Sequence, residues 1–237
     1  MINSIAMFLG NVLGTVYGLI GNYGVSIIVF TLLVKIVLIP LSISQIRSTK
    51  NMQVIQPKLQ ELQKRYKNDK ETLQIKTMEL YKEYKVNPVG GCLPMLVQLP
   101  ILFGLFRALR EPATYVFAAN PALAEVAQNT AFLWVKNLSI PDTMANIIAG
   151  PAIMSTLPGL LPIIAAITTY IQMATMSPTT GNDSGQPNSM KTMQYVMPFM
   201  ILFMGRSLSG GLMIYWTVSN VFQMAQQYLT TKLAKGE

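Results

Sequence analysis

The sequence predicts an all-α membrane protein of five spans, with a cytoplasmic helical hairpin between spans one and two and an external amphipathic helix at the N-terminus. Three observations lead there. Of 237 residues, 51% are hydrophobic and 12% charged, with mean hydropathy +0.39, far from the composition of a soluble domain. The apolar residues gather in five runs of about 17 to 25, enough to cross about 30 Å of hydrocarbon as a helix. The lysines and arginines crowd into one segment, as they do in cytoplasmic loops.

Residues 1–22, "MINSIAMFLGNVLGTVYGLIGN", place Ile5, Phe8, Leu9, Val12, Val16 and Leu19 near one helical face. This predicts a helix lying in the outer interface. No basic run precedes it and no small-residue cleavage site follows, so it is not expected to be a signal peptide. Residues 23–44 form span one and 45–87 the hairpin, which holds ten of the eighteen basic residues. Within the hairpin, Met52, Ile55, Leu59, Leu62 and Tyr66 recur at helical spacing, and after "KNDKE" so do Leu73, Thr77, Leu80 and Tyr84, the pattern of two antiparallel amphipathic helices. Pro57 suits a helix start or kink separating the first of these from the extension of span one.

Span two covers 88–110, and the external loop 111–156 carries a single basic residue, Lys136. Span three is 157–176, followed by a cytoplasmic loop at 177–191 that contains "SPTTGNDSGQPNS" and Lys191. Span four is 192–208. The segment 209–230 supplies the "SLSGG" turn and span five, and 231–237 a short cytoplasmic tail with Lys232 and Lys235. The last two spans are short and glycine-interrupted, which predicts tilt or a locally thinned bilayer. The basic hairpin sets the N-terminus outside and the C-terminus inside; Arg107, Arg110 and Arg206, at external span ends, run against that rule.

With no histidine and one cysteine, Cys92, the chain cannot supply a Cys/His metal site, a disulfide or an imidazole triad. Cys92 reads as a small buried hydrophobe. No glycine-rich phosphate loop with its lysine is present, so nucleotide hydrolysis is not expected; neither are an enzyme activity, a cofactor or a metal. The net charge of +8 is not interleaved with stacking aromatics, which argues against nucleic-acid recognition. The basic hairpin is either a solvated face or a docking surface for anionic lipid head groups or a partner chain.

The stretch "VFTLLVKIVLIPLS" puts Lys35 inside span one. An intramembrane charge usually has a counter-charge, but the ten acids are Glu61, Asp69, Glu71, Glu79, Glu83, Glu111, Glu125, Asp142, Asp183 and Glu237, none within a span. Lys35 either snorkels toward the interface, about 9 Å away at the six-residue distance of Leu41, or lines a hydrated groove and offers its charge to another molecule. The helix is expected to continue through "SISQ" toward Arg47, which favours the groove. Gln98, Gln172, Trp216 and Asn220 lie within other spans; each serves either as an interhelical hydrogen-bond partner or as part of the same polar strip. Methionines in the last three spans add adaptable apolar surface.

The stretches "IGNYGVSIIVFTLLVKIVLIPL", "NPVGGCLPMLVQLPILFGLF", "FLWVKNLSIPD", "YIQMATMSPTT" and "GGLMIYWTVSN", in this order around a basic hairpin, resemble the YidC/Oxa membrane insertase family in its five-span Gram-positive form. The resemblance covers nearly the whole chain. It implies a bacterial cell-membrane protein that moves segments of newly made membrane proteins from the cytoplasm into the bilayer, as a monomer, alone or beside the Sec translocon. It implies a groove open to cytoplasm and lipid, with Lys35 at the family's charged position, Gln172 and Trp216 at further groove positions and Gln98 at a polar position of span two. The hairpin matches an element implicated in substrate recruitment and transient ribosome contact. Three features depart from the pattern. Lys35 stands where arginine is usual, and an ammonium is a point charge where a guanidinium forks. Ser209 stands where proline is common. The tail "TTKLAKGE" is short, which argues against ribosome docking through it.

Two other functions fit the residues less well. A small anion transporter or channel would use the lysine for selection, but coupled transport generally needs carboxylates or histidines at depth and an inverted repeat. A structural subunit of a larger membrane complex is the other alternative, which co-purification with a fixed stoichiometric partner would favour.

Overall fold

The computed structural model describes residues 2–86, 93–148, 150–176 and 188–233. Cys92, most of the 177–191 loop and residues 234–237 lie outside them. The described residues form ten α-helices and two short 3-10 turns, with isolated bridges but no strand. Helix α1 (Ile2–Ile20) ends at Gly21, whose φ of 74° only glycine adopts without strain and whose N–H donates to the Tyr17 carbonyl at 2.7 Å. Asn22 then caps α2 (Tyr23–Val37) by accepting from the Val25 N–H at 3.1 Å.

The face that α1 buries differs from the one the apolar spacing suggests. Ala6, Leu9, Gly10, Leu13, Val16 and Tyr17 are buried, while Phe8 and Leu19 are 67% and 84% exposed. The small residues decide it. A Cβ on Gly10 or Gly14 would overlap the carbonyl oxygen of Tyr115 or Val116, so bare glycines let the backbones approach. In lipid an outward Phe or Leu carries no hydrophobic penalty, and close backbone packing selects the interface.

The first basic helix also breaks elsewhere than expected. The chain bends by 65° between α2 and α3 (Ile39–Arg65), at Leu38 and just before Pro40. Proline has no N–H to give and clashes with the carbonyl four residues back, but is tolerated in the first turn of a new helix. Beyond the bend α3 runs for 27 residues with Pro57 inside it, so membrane segment and hairpin share one rod and Pro57 separates nothing. Asp69 caps α4 (Lys70–Glu83), accepting from the Thr72 N–H at 3.0 Å. Ile55, Leu59, Leu80 and Val86 form the hairpin's own small core, and Lys58 donates to the Tyr84 hydroxyl.

Helix α5 (Leu93–Arg110) leads into short helices α6 (Pro112–Tyr115) and α7 (Ala122–Asn129), and then to α8 (Leu160–Met176), α9 (Asn188–Gly205) and α10 (Gly210–Leu233). Thus α2, α5, α8, α9 and α10 carry the five expected spans. By length and apolarity α1 alone passes as a single crossing helix, α2 and α3 pass as a bent pair, and the apolar parts of α8 and α9 are shorter. Helix α10 packs between α2 and α8, α9 packs on α8, and α5 packs on α1. The main core joins Tyr23, Ile27 and Phe30 to Leu105, Leu109, Val135, Leu138, Leu161, Ala165, Leu212 and Met213. These residues come from the ends of α2, α5, α8 and α10 nearest the 111–159 loop and, for Val135 and Leu138, from that loop itself. That half of the bundle is solid.

Candidate functional site

The opposite, hairpin-side half of the bundle is hollow. A cavity of about 260 Å³ lies between α2, α3, α5, α8 and α10, and Lys35, Gln98, Gln172, Trp216 and Asn220 all line it. The structure therefore brings together every residue singled out from the sequence. Helix α10 supplies the longest strip: Trp216, Asn220, Gln223 and Gln226, at spacings of three and four that stack on one face. The bent helix contributes Lys35 before the break and Leu38, Leu41, Ser42 and Gln45 at and after it.

The cavity floor is hydrogen-bonded. Trp216 Nε1 donates to Thr169 Oγ1 at 3.1 Å, and Asn220 Nδ2 donates to the same oxygen at 2.9 Å and to Thr168 Oγ1 at 3.2 Å. Both threonines are available because each hydroxyl donates back to a carbonyl of its own helix, leaving lone pairs for α10. On the opposite wall Gln98 Nε2 donates to the Tyr215 hydroxyl at 2.6 Å. At the mouth, Ser42 and the Gln226 carboxamide bond at 2.6–2.9 Å, and Gln226 Nε2 lies 3.5 Å from the Ile39 carbonyl just past the bend. Trp216 and Asn220 are thus committed to packing α8 against α10 as well as to facing the cavity.

Lys35 is different. It lies in the last turn of α2, half-buried, and has no hydrogen bond or ion pair among the described residues, where the one ion pair is Lys76–Glu79 at 2.7 Å in the hairpin. Among the described residues the cavity lining includes no carboxylate. One cation, five glutamines and one asparagine present donors in excess, a surface for anionic and neutral polar groups, with Leu99, Leu102, Met173 and Met197 beside them for apolar ones. Helices α5 and α9, which bring Leu102 and Met197, pack on α1 and α8 respectively and make no extensive contact with each other. Sequence reasoning missed Ser42, Gln45, Gln223 and Gln226. Their signal was present in their helical spacing from Lys35 and Trp216.

The chain matches the family model described as 60Kd inner membrane protein over residues 15–237. It is 41% identical over 240 residues to the membrane protein insertase YidC of Caldanaerobacter subterraneus subsp. tengcongensis, covering 99% of this chain and 98% of that one. Against the same-named protein of Fusobacterium nucleatum identity is 38%, over 97% and 96%. Against that of Pelodictyon phaeoclathratiforme it is 36% over 91% of this chain but 34% of the relative. A crystal structure of active YidC insertase with its first transmembrane domain resolved superposes with TM-score 0.66 and 27% identity, over 95% of this chain and 46% of that one. The chain thus spans about a third to a half of some relatives and nearly the whole of others. With an all-helical fold, a match across almost its full length and near-complete coverage of two such relatives, the chain belongs to the 60Kd inner membrane protein family of YidC membrane protein insertases.

Proposed function

We propose that the chain inserts newly made membrane proteins, taking a polar tail and its adjoining apolar segment from the cytoplasm into the half-depth cavity and releasing the segment sideways into lipid. The observation that carries this reading is the unpaired Lys35 in a cavity without carboxylates. A charge uncompensated within its own chain is available to a passing substrate. The hairpin faces the cytoplasm, since it holds ten basic and five acidic residues; the N-terminus lies outside and the C-terminus inside. Lateral release runs between α5 and α9, which make no extensive contact with each other among the described residues.

Transfer of the substrate's own apolar surface, at about 25 cal/mol per Å², supplies the driving force, and no nucleotide is spent. The partners are nascent membrane proteins, which the chain takes up alone or beside the Sec translocon. Anionic lipid head groups and transient ribosome contact belong to the basic hairpin. The test is site-specific photocrosslinking from positions 35, 172 and 216 to a stalled nascent membrane protein. Adducts at these positions are expected; failure at all three removes the groove.

A further inference from the structure

We infer that Asp142 is a positioning residue, the clasp that closes the loop-side end of the groove and fixes the register of the two helices forming its floor. Its side chain is fully buried and is held by N–H donors alone: the Trp134 indole at 3.2 Å, Asn146 Nδ2 at 3.1 Å and the Leu161 backbone at 2.8 Å. No basic side chain pairs with it among the described residues. Leu161 is in the first turn of α8, where N–H groups lack helical partners and the helix end carries partial positive charge; Asp142 serves as the cap that α8 does not find in its own sequence. The Asp142 carbonyl also accepts from the Gly159 N–H at 3.0 Å. A Cβ on Gly159 would meet the Asp142 carboxylate at 2.5 Å.

The same short segment fastens α10. Gly210 N–H donates to the Ile140 carbonyl at 2.8 Å and Gly211 N–H to the Leu138 carbonyl at 2.9 Å. Residues 138–142 therefore satisfy the first turns of α8 and α10 together. Thr169 and Trp216, whose hydrogen bond forms the cavity floor, lie on these helices about 12 Å from Leu161 and about 8 Å from Gly211 at the helical rise. With Leu138, Leu161 and Leu212 packed in the core between, the clasp both shuts the outer end and sets how the floor meets. This role rests on the proposed groove.

The experiment uses the full chain in proteoliposomes, with Cys92→Ser and a reporter Ser219→Cys in the cavity lining. A membrane-impermeant maleimide is applied from the hairpin side or the loop side. With Asp142 intact the reporter is expected to react from the hairpin side only. Asp142→Ala is expected to raise loop-side labelling at least tenfold with hairpin-side labelling retained, and Asp142→Asn, which keeps one acceptor oxygen, to fall between. A purely structural role would lower the melting temperature without this asymmetry. If Asp142→Ala does not accumulate, Trp134→Phe, which removes one donor and leaves the carboxylate, is expected to give a smaller rise of the same kind. Loop-side labelling unchanged in the variants that fold overturns the clasp. A reporter silent from both sides in the parent overturns the groove itself, and the clasp with it.

Discussion

Lys35 gives the sharpest prediction because its charge can be changed without filling or emptying the cavity. Treated as a sphere, 260 Å³ is about 8 Å across, so a substrate carboxylate inside lies within about 8 Å of the ammonium; 332/(20 × 8) gives about 2 kcal/mol at an effective dielectric of about 20. Lys35→Gln removes that attraction, about 30-fold in occupancy, and Lys35→Glu reverses it, a swing of about 4 kcal/mol or nearly a thousandfold. Lys35→Arg keeps the sign and is expected to stay within a few-fold of the parent. The assay is insertion of a single-span substrate into proteoliposomes, scored by protease protection, with its external tail made acidic or neutral. The ordering should be Lys and Arg above Gln above Glu for the acidic tail, nearly flat for the neutral tail, and compressed by salt. Equal insertion of the acidic tail by Lys35→Glu and Lys35→Arg, or the same loss for both tails, refutes the electrostatic role.

Further expectations concern the packing that frames the cavity. Gly10→Val and Gly14→Val drive a side chain into the Tyr115 and Val116 carbonyls and should cost several kcal/mol, read as a large fall in melting temperature in detergent; Gly18→Ala, with nothing within 4 Å, should be neutral or gain up to about 1 kcal/mol of helix propensity. Gln226→Leu removes the bonds to Ser42 and should cost about 1 kcal/mol, read as a small fall in melting temperature in detergent. In the hairpin, the hydrogen bond from Thr72 holds the Asp69 carboxyl below its usual range. A depressed acid stabilises above its unfolded pKa and loses that contribution as pH falls through the lowered value, so the protection of the Thr72 amide relative to its intrinsic exchange rate should fall only at acid pH, and at all pH values in Asp69→Ala.

The sequence was most legible where polarity interrupted an apolar run. Lys35, Gln98, Gln172, Trp216 and Asn220 stand out because each is expensive in lipid, and the fold gathers all five at one cavity. Ser42, Gln45, Gln223 and Gln226 did not stand out. They lie near the hairpin-side end of the bundle, where a polar residue reads as solvated although its helical spacing from Lys35 or Trp216 places it on the cavity face. The break was expected at Pro57 and falls instead at Leu38, just before Pro40, since proline marks a possible break and tertiary packing chooses which is used. The buried face of α1 was misread because large apolar residues, reliable markers of a core in water, are indifferent in lipid. Asp142 sits in a loop of external charge, and nothing local distinguishes it from Glu125; its burial depends on Trp134, Asn146 and Leu161 converging.

The division of the bundle bears on how such a chain can work without a fuel. A polar tail crossing the bilayer faces its largest cost over the hydrocarbon, and the cavity shortens that stretch from the hairpin side. The cavity, about 260 Å³ in volume and lined by polar side chains, occupies the hairpin-side half of the bundle. That volume admits an unfolded segment a few residues at a time and excludes a folded domain, so selection falls on tail length and charge. A cavity open at both ends would lower the remaining barrier further but would also conduct ions. The solid loop-side half, from Tyr23 to Met213, is what lets the chain lower the barrier for a tethered tail, whose apolar segment then supplies the transfer free energy, while leaving it high for a free ion.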